Sequence, residues 1–184
     1  GRGRRSLRGL HNYEKLMTPP AMAWYAGVPA DTIRRAACGF AGVEHRIEYV
    51  TEKNGVKYYN DSKGTNPDAA IKGIQAMVRP TLLIGGGYDK QSTYGEWIDS
   101  FEGKVKYLVL IGETREKIAR EAREHGFPGE AILFCEDLAE AVRVCAARAV
   151  SGDAVLLSPA CASWDQFKSY EERGDLFKQY VRAL

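Results

Sequence analysis

The sequence predicts an α/β fold: a doubly wound, mostly parallel Rossmann-like sheet with an N-terminal β-hairpin. Three observations predict it. Strand-like and helix-like segments alternate from residue 60 to the end of the chain. Continuous apolar runs such as LVLI (108–111) and AVLL (154–157) suit strands covered on both faces, as in a parallel sheet. The alternating stretch RIEYVTEKNGVKYYND (46–61) carries Asn54-Gly55, the strongest short-range hairpin signal.

The elements follow in order. Residues 1–40 have little apolar periodicity of their own. GLHNYEKL (9–16) opens a helical pattern that Pro19-Pro20 should break, and Asp31 is a good N-cap for a short helix running to about Gly39. Hairpin strands are expected at about 46–52 and 56–60. Asn66-Pro67 places a capping side chain before proline at the first helical position, and that helix should reach about Met77. TLLIGG (81–86) reads as a buried strand, and a helix is expected near Tyr94 to Phe101. KYLVLIG (106–112) is a strand, and TREKIAREAREHG (114–126) a helix with a glycine stop at Gly126. AILFC (131–135), DLAEAVRVCAARAV (137–150) and AVLLSP (154–159) continue the alternation, and a last helix starts at about Tyr170.

The 184 residues suffice for one ordinary domain plus a fragment of another, and 45% hydrophobic with 27% charged residues fits a packed globular core. A net charge of +2 is too small to imply a polyanion partner. Arg2, Arg4, Arg5 and Arg8 cluster at the start and read as a solvated edge. No apolar run is long enough to span a membrane, and the N-terminus lacks the apolar core of a signal peptide. The cysteines, Cys38, Cys135, Cys145 and Cys161, form no CxxC pair and no metal-type spacing with His11, His45 or His125, so reduced, mostly buried thiols in a cytoplasmic protein are expected.

Ligands of open parallel sheets bind beyond the carboxyl ends of the strands. Three such ends are rich in polar residues and glycine: NDSKGTNP (60–67), GGGYDKQS (85–92) and SPACASWDQF (158–167). Asp61 could accept ribose hydroxyls or simply cap a turn. Thr65 and the amides after Asn66 form a helix N-terminus suited to a carboxylate or phosphate, and Lys63 could add a cation. GGGYDKQS is not a phosphate-binding P-loop, because Asp89 stands where glycine should precede the lysine; Lys90 still offers a point charge. Ser163 and Gln166 have capping-box spacing, so they either start a helix or bind a second carboxylate. Cys161 has no histidine in its junction to activate it and is not read as a nucleophile.

GLHN (9–12), HRIEYV (45–50), NDSKGTN (60–66), GGGYDK (85–90) and LLSPACASWDQFKSYEERGDLF (156–177) occur in order. Together they resemble the C-terminal part of the Mur ligase family, most closely its D-glutamate-adding branch in peptidoglycan synthesis. The resemblance implies that residues 1–40 are the C-terminal end of a central ATPase domain and 41–184 the C-terminal ligase domain. It implies ATP as cofactor, with Mg2+ bound mainly by the missing central domain. The parent enzyme would activate a UDP-muramoyl-alanine carboxylate as an acyl phosphate for attack by D-glutamate. By the same resemblance, Asn12, Arg46 and Asp61 would contact the nucleotide, with Lys63 supporting the phosphate region. Thr65, Lys90, Ser163, Trp164 and Tyr170 would hold D-glutamate.

This chain departs from the family pattern at Lys15, where a second asparagine is usual, at Pro19-Pro20, and at Trp164 and Tyr170, where leucine and phenylalanine are frequent. The chain lacks the P-loop and is expected to be inactive alone, monomeric, and without nucleic-acid or membrane partners. The alternatives are a C-terminal domain of another amino-acid ligase, of folylpolyglutamate type, and a non-enzymatic nucleotide- or anion-binding module.

Overall fold

The computed structural model describes residues 21–39 and 42–184; Asn12, Lys15 and the Pro19-Pro20 pair lie outside the described residues. Helix α1 (Ala30–Gly39) begins one residue before Asp31, which therefore stands in its first turn rather than capping it.

Strands β1 (Glu48–Lys53) and β2 (Val56–Asn60) form the expected hairpin. Both turn residues, Asn54 (φ 51°) and Gly55 (φ 77°), are left-handed, the requirement of a two-residue turn that matches strand twist. The chain then runs through α2 (Pro67–Gln75), β3 (Thr81–Gly86), α3 (Gly95–Asp99), β4 (Val105–Ile111), α4 (Arg115–Glu124), β5 (Ile132–Phe134), α5 (Leu138–Arg148), β6 (Ala154–Leu157) and α6 (Tyr170–Ala183).

The six strands form one sheet in the order β1-β2-β6-β3-β4-β5, antiparallel at the hairpin and parallel elsewhere. Period-two alternation divides its residues between two cores. Leu83, Leu108, Leu110 and Leu156 pack with Ile74, Trp97 and Ile118 of α2, α3 and α4. Leu82, Ile84, Val109, Val155 and Leu157 pack with Leu138, Val142, Phe177 and Val181 of α5 and α6. Both faces are thus covered by helices, which is why the parallel strands read as unbroken apolar runs.

The cap expected at Asn66 is present. Its side-chain oxygen accepts from the Ala69 amide at 2.9 Å, and Pro67 follows at the start of α2. Asn66→Ala should therefore lower stability by about 1 kcal/mol, read as a shifted urea midpoint at an unchanged slope.

β6, last in sequence among the strands, inserts between β2 and β3. Asn60 and Ile84 both pair with Leu157, so the three polar junctions leave the sheet side by side.

Candidate functional site

The three junctions are sewn together by main-chain hydrogen bonds: Asp61 N to Leu157 O (2.7 Å), Ser158 N to Ile84 O (3.2 Å), Gly86 N to Pro159 O (2.8 Å) and Tyr88 N to Ala162 O (3.0 Å). The glycines of GGGYDK serve this packing. A Cβ on Gly86 would come within 2.1 Å of Ile111 O, and one on Gly87 within 2.3 Å of Ala162 O, both at positive φ. The close backbone approach that these glycines permit is to their own protein. The Thr114 hydroxyl completes the knot, accepting from Gly87 N at 3.0 Å.

Beyond the strand ends lies a cavity of about 150 Å³ lined by Thr65, Lys90, Ala162, Ser163, Trp164, Ser169 and Tyr170. All five residues that the family resemblance assigns to the amino acid therefore meet at one place, from three separate loops. Its size suits an amino-acid-sized ligand rather than a drug-sized one. Lys90 Nζ lies 4.8 Å from the centre of the Trp164 ring, which also packs on Tyr88. Ser163 is buried, whereas Trp164 is 62% exposed and forms the outer wall.

Lys63 is not a lining residue but contacts one. Its ammonium donates to the Tyr170 hydroxyl at 3.1 Å.

Three expectations need correction. Ser163 and Gln166 do not start a helix: Phe167 N and Gln166 N return to Ser163 O in a turn, and the Gln166 side chain donates instead to Glu136 O at 2.8 Å. The cap of α6 is Ser169, whose hydroxyl accepts from Glu172 N at 3.3 Å, while the Glu172 carboxylate takes Lys168 N.

Asp61 does not face outward. It is 4% exposed, its Oδ1 accepts from Ile47 N at 3.1 Å and its Oδ2 from the Ser158 hydroxyl at 2.8 Å. Burial pushes its carboxyl up to about 7, against the lowering effect of Ser158, the Ile47 amide, and the Arg46 and Arg173 guanidiniums. A carboxylate so engaged anchors the 45–47 strap to β6; it has no free oxygen facing a ribose. Arg46 itself is half-buried beside it.

The third correction is an omission. Arg173, on α6, is fully buried yet was not singled out by the sequence. Its guanidinium donates to Ser62 Oγ (2.9 Å), Ser62 O (2.9 Å), Cys161 O (3.2 Å) and Ala162 O (3.2 Å), joining the loops after β2 and β6. Burial lowers its pKa to about 10, so it stays charged at neutral pH. Ser62 in turn donates to Tyr170 O at 2.8 Å. The spacing of Arg173, Phe177 and Val181 on one helical face was a usable signal that Arg173 points inward.

Cys161 is buried between Tyr94 and Thr114, and burial raises its thiol, which agrees with a structural role. Cys135 and Cys145 are likewise buried free thiols. The potential ligand atoms of Glu44, His45 and Asp175 lie within 4.8 Å of one another, but the Lys178 ammonium lies within bonding reach of Glu44 and Asp175 and already supplies the cation there. Among the described residues, no helix is long and apolar enough to cross a membrane.

Known proteins resemble this chain in sequence and in fold. A UDP-N-acetylmuramoylalanine–D-glutamate ligase of Lachnoclostridium phytofermentans is 60% identical over 176 residues, covering 96% of this chain and 38% of that protein. One from Lachnospira eligens is 55% identical over 179 residues, covering 97% and 39%. The chain thus spans about two fifths of the length of these relatives. Among solved structures, a UDP-N-acetylmuramate-alanine ligase of Thermotoga maritima superposes over 96% of this chain and 39% of its own, with a TM-score of 0.71 at 15% identity. A Mycobacterium tuberculosis folylpolyglutamate synthase complexed with ADP and AMPPCP superposes over 93% of this chain and 41% of its own, with a TM-score of 0.68 at 16% identity. At those identities the likeness is one of fold. The Mur ligase, glutamate ligase domain model matches residues 45–161, all six strands of the sheet and two of the three cavity loops, and the chain belongs to that family.

Proposed function

We propose that this chain is the amino-acid-binding C-terminal domain of an ATP-dependent ligase that adds D-glutamate to UDP-N-acetylmuramoyl-L-alanine in peptidoglycan synthesis. The observation that carries the reading is the convergence of Thr65, Lys90, Ser163, Trp164 and Tyr170 on one small cavity. A dicarboxylate amino acid needs two anion sites and an unencumbered amine. Thr65 with Lys90 would supply one site, and Ser163 with the Trp164 amide and Tyr170 the other, charge-assisted hydrogen bonds fixing both carboxylates.

When bound, ATP supplies the γ-phosphoryl group that turns the muramoyl-alanine carboxylate into an acyl phosphate. The contribution of this chain is orientation: it presents the amine of D-glutamate for attack, so that a C–N bond forms as the C–O bond to phosphate breaks. The sequence holds no GxxxxGK[ST] phosphate loop, and among the described residues the one group of potential metal ligands, Glu44, His45 and Asp175, is already paired with Lys178. In this reading, residues 1–40 end the ATPase domain, 41–184 form the closing domain, and phosphate and Mg2+ binding fall to the rest of the ligase. Arg46 would be a cation that this chain offers to the nucleotide, with Asp61 holding its strap in place. The domain would act as a monomer in the cytoplasm and be inactive alone.

The fold is shared with a folylpolyglutamate synthase, so a ligase for another amino acid is the competing reading. Titration of the chain with D-glutamate and L-glutamate, with and without ADP, separates the two by chemical-shift mapping. Shifts at Thr65, Lys90 and Ser163 for the D enantiomer alone are expected. An equal response to both enantiomers, or shifts confined to other loops, would overturn the assignment.

A further inference from the structure

We propose that Tyr170 is a positioning residue for Lys63, its phenol holding the Lys63 ammonium against the amino-acid cavity as an additional cation for the bound carboxylate. The inference rests on the reading of the cavity as a dicarboxylate site.

Tyr170 is the one cavity-lining side chain that also receives a hydrogen bond from Lys63. Nζ lies 3.1 Å from the phenol oxygen and 5.2 Å from the ring centroid, so the ammonium leans along the edge of the ring toward its hydroxyl. A phenol oxygen carries lone pairs as well as a proton, and an ammonium can only donate, so the Tyr170 oxygen is the acceptor of the bond from Lys63.

The residue is itself well fixed. Its carbonyl accepts from Ser62 Oγ at 2.8 Å, and its ring meets the edge of His45 at 6.0 Å. Ser62 and Lys63 are consecutive, so the main chain and the side chain of Tyr170 grip the same loop at two adjacent points. A lysine has a long, flexible stem and gains an acceptor only by losing rotamer freedom. The Tyr170 oxygen restricts that freedom before any ligand arrives. On the opposite wall, Lys90 is held by the face of Trp164. Lys63 and Lys90 are thus each set in place by an aromatic residue that lines the cavity.

The test is Tyr170→Phe, which removes one oxygen and leaves the ring, the backbone grip and the fold. Two readouts are needed. The first needs no ligand: the side-chain 15N–1H signal of the Lys63 ammonium should be visible at low temperature in the parent chain and lost to exchange in the variant. The second is a double-mutant cycle on D-glutamate affinity with Tyr170→Phe, Lys63→Met and the pair. Each single change should weaken binding about tenfold, the worth of one hydrogen bond to a charged group, and the pair should weaken it no further than either one.

An ammonium signal unchanged by Tyr170→Phe would overturn the proposal, as would additive losses. If the parent chain ignores D-glutamate while the ammonium signal still depends on Tyr170, the cavity assignment fails and the proposal with it in its ligand-binding part. Loss of ammonium dependence alone, with D-glutamate bound normally, sinks only the role of Tyr170.

Discussion

Arg173→Met is expected to destabilise the domain by about 3–5 kcal/mol, a large share of the 5–15 kcal/mol that holds a typical domain folded. The guanidinium is fully buried and satisfies Ser62 Oγ together with the carbonyls of Ser62, Cys161 and Ala162. Replacing an entire buried polar network by apolar groups can be neutral, but that route is closed here, because three of the four acceptors belong to the main chain and no mutation removes them. Ala162 O keeps the Tyr88 amide as a donor. Ser62 O and Cys161 O lose the charged donor that Arg173 provides, and each buried group left without one costs about 1–3 kcal/mol. Methionine fills much of the volume, so the loss reports the hydrogen bonds rather than a cavity.

Lysine is the informative second variant. It keeps the charge but has a single nitrogen, which cannot reach four acceptors spread over two loops. Arg173→Lys should therefore fall between the parent and Arg173→Met in urea midpoint. Both variants should also loosen Ser163 and Thr65 relative to each other, so D-glutamate should lose its effect on their amide signals even under conditions where the chain remains folded. A Met variant within 1 kcal/mol of the parent would show that the two loops are held by their β-type hydrogen bonds alone.

What could be read from the sequence divides along a physical line. The strands and helices were legible because their periodicity is a local property: LVLI and AVLL mark buried strands whatever their neighbours, and Asn54-Gly55 marks a turn. The meeting of the NDSKGTN, GGGYDK and SPACAS junctions was legible because parallel strands send their carboxyl ends to one edge. The insertion of β6 between β2 and β3, which makes the three junctions adjacent, is a tertiary choice that no local pattern encodes.

Polar residues were harder. Ser163-x-x-Gln166 and Ser169-x-x-Glu172 carry the same capping signature six residues apart, and the choice between them depends on Glu136 O drawing the Gln166 amide away. Asp61 had two readings, ribose ligand or turn cap, and its actual role as an anchor depends on the Ile47 amide and the Ser158 hydroxyl, fourteen and ninety-seven residues away in the chain. Arg173 was legible only by trusting the helical spacing over the habit of placing arginine in solvent.

Asp61→Asn is expected to make the domain more stable than its parent above pH 7 and to remove a stability loss that the parent suffers between pH 4 and pH 7. Burial raises the Asp61 carboxyl from 3.8 to about 7. Through that window the unfolded chain has released the proton while the folded chain still holds it. The folded state therefore binds more protons, and stability falls as pH rises. The favourable contribution is complete below pH 4, declines through the window and levels off above 7; over about three pH units it amounts to about 4 kcal/mol. Glu44 and Glu171 are displaced the other way by their hydrogen-bond partners, so the whole-protein profile mixes opposite slopes. The difference between variant and parent cancels those shared terms. Asparagine suits the site, since its oxygen can accept from Ile47 N while its amide donates to Ser158 Oγ, and it carries no charge at any pH. The difference in unfolding free energy should therefore grow in favour of Asp61→Asn from pH 4 to pH 7 and stay flat from 7 to 9. Asp61→Ala, which orphans both donors, should be less stable than the parent at pH 4 by about 2–3 kcal/mol. A flat difference between Asp61→Asn and the parent across the whole range would mean that Asp61 is ionised in the folded protein, with the Arg46 and Arg173 charges outweighing its burial.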